Sequence, residues 1–196
     1  MGRIRILLME GMAERFEPTL RLATAEDRDG IDALMKASTR DVFPAFYDQR
    51  QTASSAVHIA HVDPMLIEDE TYFVVQAAGE IVACGGWSRR DKLFSGSSDQ
   101  EGRDRLLDPA TDAARIRAMF VRGDWTRRGL GTRILEACAA AARAEGFTRL
   151  ALMATLPGEP LYARFGFVEV GREMLDLPDG VQLEAVAMEM TLAPPG

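Results

Sequence analysis

The chain has 196 residues, of which 47% are hydrophobic and 27% charged, as in an ordinary globular domain with its own core. Its net charge of -7 argues against nucleic acid as a partner. No apolar run approaches the roughly 20 residues that span a bilayer, so we expect no membrane association. Cys84 and Cys138 lie in apolar patterns without a CxxC partner, so we expect reduced thiols, no metal site and a cytoplasmic protein.

The first half of the chain predicts the order strand, helix, helix, strand, strand. Residues 1–18 are expected to form a leader outside the core, residues 19–192 the folded domain, and residues 193–196 a short tail. Thr24, followed by Asp27, is typical of a helix N-terminus. The predicted elements are a strand at 20–23, helices at 24–38 and 44–61, one turn at 65–68, and strands at 71–76 and 81–88.

Two adjacent glycines, Gly85 and Gly86, lie inside the second strand of the predicted hairpin. Glycine inside a strand indicates a bulge or a close approach by another group. We therefore expect an irregularity in the sheet at this point.

The second half of the chain begins with a charged, glycine- and serine-rich connection over residues 89–112, which predicts a long loop. It continues with strands at 114–121 and 148–156 around a helix at 130–145, then a short helix at 159–165 and strands at 167–170 and 181–192. These patterns predict an α+β fold with α-β-α layers. Its sheet is mixed and mostly antiparallel, with six to seven strands, one parallel βαβ unit, and helices on both faces.

The turn between the central strand and its helix has the composition of an anion site. Arg127 and Arg128 precede Gly129 and Gly131, after which the helical pattern begins. The first N–H groups of a helix have no intrahelical partner, and the helix dipole adds partial positive charge. Residues 86–133 also hold eleven Lys and Arg against seven Asp and Glu. We therefore expect this turn to bind the pyrophosphate of a nucleotide-like cofactor.

Two motifs carry a family resemblance. The segment DWTRRGLG at 124–131, after a strand ending in Phe120 and Val121, resembles the acetyl-CoA-binding signature of the GCN5-related N-acetyltransferases (GNAT superfamily). The segment LYARFGF at 161–167 is similar to the family's Tyr-x-x-x-Gly-Phe element. One helix and one apolar strand separate the two motifs, as in that family. Thr126 departs from the pattern, which usually has Gln or Arg there.

The resemblance implies the acyl-CoA N-acyltransferase fold and a reaction. The family transfers an acetyl group from the cosubstrate acetyl-CoA directly to an amine in a ternary complex. The central strand splays from its neighbour, and the pantetheine arm lies between them. Tyr162 matches the tyrosine that protonates the leaving thiolate. The implied cofactor-binding residues are Met119, Phe120 and Val121 on the strand, and Arg127, Arg128, Gly129, Leu130, Gly131 and Thr132 around the pyrophosphate.

The candidates for binding the acceptor amine and for the general base lie outside the two motifs. The central strand contains no acid, so we consider His58, His61, Glu80 and Asp112, or a chain of water molecules, as the base. Aromatic side chains of the first helical hairpin and of the strand that holds Trp87 could contact the substrate, which is a small molecule or a peptide. The candidates are Tyr47 and Trp87, with Phe46 and Phe94 beside them.

The residues also leave two other functions and one assembly to consider. The missing acid on the central strand allows a non-catalytic acyl-CoA-binding sensor. A Rossmann-type dinucleotide enzyme is disfavoured because Ile134 occupies the position of the third glycine. A homodimer is possible, because the final strand at 181–192 could offer a free edge for pairing.

Overall fold

Seven strands of the described part of the chain form one sheet in the order β1-β2-β3-β4-β5-β7-β6. The computed structural model describes residues 17–92 and 105–193. Most of the predicted leader, half of the predicted loop including Phe94, and the last three residues lie outside these ranges. The strands are β1 (Thr19–Leu22), β2 (Tyr72–Ala77), β3 (Glu80–Ser88), β4 (Ala114–Val121), β5 (Arg149–Thr155), β6 (Val168–Asp176) and β7 (Gln182–Thr191).

In the part of the chain that the structure describes, five α-helices cover the two faces of the sheet. They are α1 (Arg28–Val42), α2 (Gln49–His58), α3 (Pro64–Glu68), α4 (Leu130–Ala144) and α5 (Glu159–Phe165). The first helix begins as predicted, because Thr24 and Asp27 form a capping box around a short 3-10 turn. None of the helices in the described ranges is long and apolar enough to cross a membrane.

The predicted sheet is confirmed: every pairing is antiparallel except β4 with β5, which flank α4. Helix α4 buries its apolar side, including Ile134, Leu135 and Cys138, against one face. Helix α1 buries Ile31 and Met35 against the other face. Each face therefore has its own apolar core, with β4 between them.

Two expectations about the end of the chain are wrong. The sixth strand runs over Val168–Asp176, well past the predicted end at residue 170. It is an edge strand exposed on both faces for most of its length, so it lacks the alternation that marks a half-buried strand. The last strand, β7, pairs on both sides, with β5 and with β6. The free edge therefore belongs to β6 and not to the final strand.

Candidate functional site

The parallel strands β4 and β5 separate along their length. They pair only at Ala114 with Leu150 and at Arg115 with Ala151. Strand β5 stays paired with β7 from Arg149 to Thr155, whereas the second half of β4 stays paired with β3 and diverges from β5. A V-shaped gap opens towards the carboxyl ends of both strands. An extended ligand in this gap could hydrogen-bond to the backbone groups of β4 that do not pair with β5.

A bulge in β4 sets the direction of the strand at the gap. Ala118 has a left-handed backbone with φ of +51°. The register with β3 shifts here, between Cys84 and Gly86. Beyond the bulge, the amide of Arg122 donates to Val82 of β3 at 2.9 Å. Because backbone groups alternate along a strand, those of the preceding residue, Val121, point to the other side, into the gap.

The turn after β4 aims the start of α4 at the same gap. Gly129 caps the helix with φ of +78°, and the first amide to bond within the helix is that of Arg133, which donates to Gly129 at 3.0 Å. The amides before it have no intrahelical partner and carry the positive end of the helix dipole. Gly129, Leu130, Gly131 and Thr132 all line the gap.

A cleft of about 760 Å³ joins these features. Met119, Phe120 and Val121 form one wall, and the turn before α4 forms another. The far wall belongs to the end of β5 and to α5. The remaining lining residues include Ser38, Asp41, Phe43, Phe46, Asp124, Trp125, Thr155, Gly158, Leu161, Tyr162 and Arg164.

The two arginines of the turn have different positions. Arg127 lines the cleft and has a left-handed backbone with φ of +63°. Arg128 does not line the cleft. Its guanidinium lies 4.5 Å from the centre of the Trp125 ring, and its Nη2 donates to the carbonyl of Asp124 at 3.1 Å. Arg128 therefore stabilises the turn through its cation–π contact with Trp125.

Tyr162 lies on α5 at the wall of the cleft, with 8% of its surface exposed. Its ring packs edge-to-face against Phe167, with the centroids 5.8 Å apart. Among the described residues, no group hydrogen-bonds to its hydroxyl. Burial raises the pKa of Tyr162 above its ordinary value, so the phenol keeps its proton at neutral pH. A buried, protonated hydroxyl at a cleft wall is suited to donate that proton.

The structure does not bring Tyr47 and Trp87 to the cleft. Trp87 is 1% exposed and packs against Phe147 with ring centroids 5.9 Å apart. It pairs with Ile116, at the end of β4 opposite the gap. The Tyr47 hydroxyl donates to the carbonyl of Glu184 and accepts from the amide of Leu156, both at 2.8 Å. Burial raises the pKa of Tyr47 to about 12.

Of the other two aromatic candidates, Phe46 lines the cleft and is 47% exposed. Phe94 lies outside the described residues. A sequence pattern shows that an aromatic residue is present, but it does not show to which face of the sheet the residue points.

None of the four predicted bases lines the cleft. His58 lies 3.7 Å from Asp179, Glu80 pairs with Arg122 at 2.6 Å, and Asp112 pairs with Arg105 at 2.9 Å. His61 is likewise absent from the cleft wall.

The carboxylates on the described wall of the cleft are Asp41 and Asp124. Arg122 binds Asp124 at 2.7 Å and lowers its pKa. Asp41 forms no ion pair with any residue in 17–92 or 105–193. Sequence reasoning missed Asp41. This residue lies one turn after Ser38 on α1, and the Ser38 hydroxyl donates to the carbonyl of Val121 at 2.8 Å.

Comparison with known proteins gives concordant findings. A family model described as the acetyltransferase (GNAT) family matches residues 32–167. A search of curated proteins finds no match. The GCN5-related N-acetyltransferase of Rhodopseudomonas palustris is similar over 90% of this chain and 98% of its own, with a TM-score of 0.68 and 20% identity.

Two further similar structures were solved in complex with coenzyme A or acetyl-CoA. The PaiA N-acetyltransferase of Thermoplasma acidophilum, in complex with coenzyme A, has a TM-score of 0.61 at 11% identity and covers 89% of this chain and 99% of its own. A GNAT family acetyltransferase of Brucella melitensis, in complex with acetyl-CoA, has a TM-score of 0.54 at 15% identity and covers 92% of each chain. These likenesses confirm the predicted fold.

Proposed function

The chain belongs to the acetyltransferase (GNAT) family, and we propose that it transfers an acetyl group from acetyl-CoA directly to the amine of a small molecule or peptide. One observation carries this proposal. A single cleft of about 760 Å³ joins the half of β4 that does not pair with β5, the amino end of α4 and Tyr162. These parts fit the arm, the pyrophosphate and the thioester of one extended cosubstrate, which in this proposal binds together with the acceptor in a ternary complex.

The proposed cosubstrate site follows the walls of the cleft. The pantetheine arm lies along β4 and bonds to backbone groups of Met119 and Val121, with Phe120 between them. The pyrophosphate accepts hydrogen bonds from the amides of residues 129–132, and Arg127 adds a full positive charge. Arg128, which the sequence placed beside the phosphates, contributes by holding Trp125 and the turn.

The proposed chemistry is a direct attack. The neutral amine adds to the thioester carbonyl, the carbon–sulfur bond breaks, and the thiolate takes a proton from the Tyr162 hydroxyl. The new amide nitrogen loses one proton to water or to Asp41. The tyrosinate then regains a proton from solvent. Atoms and charge balance without any metal or redox step.

The first experiment measures release of free thiol from acetyl-CoA over a panel of amines. Replacing Tyr162 with Phe removes the proton donor, so we expect kcat to fall by about 100-fold or more while the Kd for CoA stays unchanged. Full activity in Tyr162→Phe would remove this residue from the mechanism. Tight binding of acetyl-CoA without turnover of any amine would favour the non-catalytic sensor.

We also propose that the chain pairs with a second copy of itself through β6. Its outer edge has unpaired backbone groups, and Val168 and Val170 are 62% and 58% exposed. We further propose that the protein is cytoplasmic, because both cysteines are buried free thiols.

A further inference from the structure

A tyrosine on β2 reaches across a whole strand to β4. Tyr72 lies opposite Gly86 on β3, and Gly86 in turn pairs with Arg117 on β4. The Tyr72 side chain is fully buried, and its hydroxyl donates to the carbonyl of Ala118 at 2.6 Å. A Cβ on Gly86 would lie 2.6 Å from the Tyr72 ring. The ring can cross β3 only because position 86 has no side chain.

The acceptor of this hydrogen bond is the residue at the bulge. Ala118 holds φ of +51°, a conformation that L-residues adopt at an energetic cost. Such a conformation persists only where surrounding contacts stabilise it. The hydrogen bond from the fully buried Tyr72 side chain satisfies a partly buried carbonyl, which would lose this donor if the hydroxyl were removed. Tyr72 is therefore a contact that stabilises the bulge.

The bulge decides what β4 presents to the cleft. Directly after it, the Met119 side chain lies over the other glycine of the pair, since a Cβ on Gly85 would be 3.2 Å from Met119 Cγ. The strand then continues with the backbone of Val121 turned towards the gap. A β4 without the bulge would shift by one residue relative to β3 and would turn these backbone groups away.

We propose that Tyr72 is a positioning residue for the cosubstrate: its hydroxyl holds the Ala118 bulge and thereby directs the backbone of Met119 and Val121 at the pantetheine arm. The inference rests on the proposed function, because it assumes that the arm binds in the gap. Tyr72 itself lies on β2, two strands from the gap, and acts through Ala118.

The test measures the Kd for CoA by calorimetry and the thermal midpoint of the ligand-free protein. We expect Tyr72→Phe to weaken CoA binding about fivefold, the factor that corresponds to about 1 kcal/mol for one hydrogen bond. Thr71→Val is the matched control. Thr71 is the adjacent residue, is 1% exposed, and donates through its hydroxyl to Leu66 at 3.2 Å, away from the bulge. This control should lower the thermal midpoint and leave the Kd for CoA unchanged.

A rescue variant separates positioning from general destabilisation. Glycine adopts a positive φ without a steric penalty, so Ala118→Gly should stabilise the bulge without help from Tyr72. In the double variant Tyr72→Phe/Ala118→Gly, we expect the CoA affinity to return to within about twofold of the wild type. If Tyr72→Phe does not fold, the Kd of the double variant for CoA is the measurement that decides.

Two results would overturn the inference. One is a folded Tyr72→Phe protein that binds CoA as tightly as the wild type. The other is a folded double variant whose affinity for CoA stays reduced. A wild-type protein that binds no CoA would instead contradict the proposed function, so the two failures are distinguishable.

Discussion

At the residue scale, the turn before α4 depends on the backbone conformation of two residues. Arg127 and Gly129 both have a left-handed backbone, with φ of +63° and +78°. For arginine this conformation has a cost, and costs of this kind are typical of ligand-binding turns. The two residues bend the chain so that the amides of the first helical turn point into the cleft. The position of these amides therefore depends on one glycine and one strained arginine.

Replacing Gly129 with Ala tests this dependence. A Cβ at this position would meet no atom within 4 Å, so the effect comes from φ alone. We expect the free energy of unfolding to fall by about 1 kcal/mol, and the Kd for CoA to rise about tenfold as the turn relaxes.

Gly180→Ala is the control for that variant. Gly180 lies in the turn between β6 and β7 and has φ of +76°, also with no atom within 4 Å of a Cβ. It should lose about the same stability, because the backbone cost is the same, and keep the CoA affinity. Equal affinities in the two variants would place the cosubstrate away from this turn.

At the element scale, the second glycine of the motif governs how two helices meet. Gly131 lies in the first turn of α4, and a Cβ there would lie 2.8 Å from Leu161 Cδ2 on α5. The next residue on α5 is Tyr162. The motif therefore sets the distance between the helix that faces the phosphates and the helix that carries the proposed proton donor.

Gly131→Ala should push α5 away from α4 and displace Tyr162. We expect an overpacking cost of about 1–3 kcal/mol in the free energy of unfolding, together with a lower kcat. Adding Leu161→Ala frees the space, so the double variant should recover much of the lost kcat, with Leu161→Ala alone as the control. If the double variant stays as impaired as Gly131→Ala, the new methyl group acts by crowding the phosphates and not by moving α5.

At the scale of the whole molecule, one edge of the sheet exposes apolar side chains. Strand β6 forms one edge and exposes Val168, Val170 and Met174. An uncovered apolar edge strand is a template for pairing with another chain. Pairing with a second copy would bury this strip and close the edge.

Light scattering coupled to gel filtration tests this pairing. We expect the wild type to elute with twice the monomer mass, and Val168→Glu/Val170→Glu to elute as a monomer, because charge on both sites opposes burial. Val57→Glu is the control, since Val57 is 67% exposed and lies on α2 and not on the β6 edge. A wild-type monomer at working concentration would contradict the homodimer.

Local patterns in the sequence were enough for much of the fold. Strand β4 and helix α5 have the predicted bounds, because alternation and the Pro and Gly signals at helix ends depend on near neighbours alone. The Gly85-Gly86 pair was expected to mark an irregularity, and both a bulge and a close aromatic contact are found there. The glycine motif and the tyrosine element together also predicted the family, which the comparisons show.

The sequence by itself determined the order of elements, the family and the turn before α4, because each depends on residue types at fixed spacing. Only the tertiary structure decided which side chains reach the cleft. It placed Tyr47 and Trp87 in the core, brought Asp41 to the cleft wall, and made β6 instead of β7 an edge strand of the sheet. These outcomes depend on strand order and on the packing of distant segments, and no local period in the sequence contains that information.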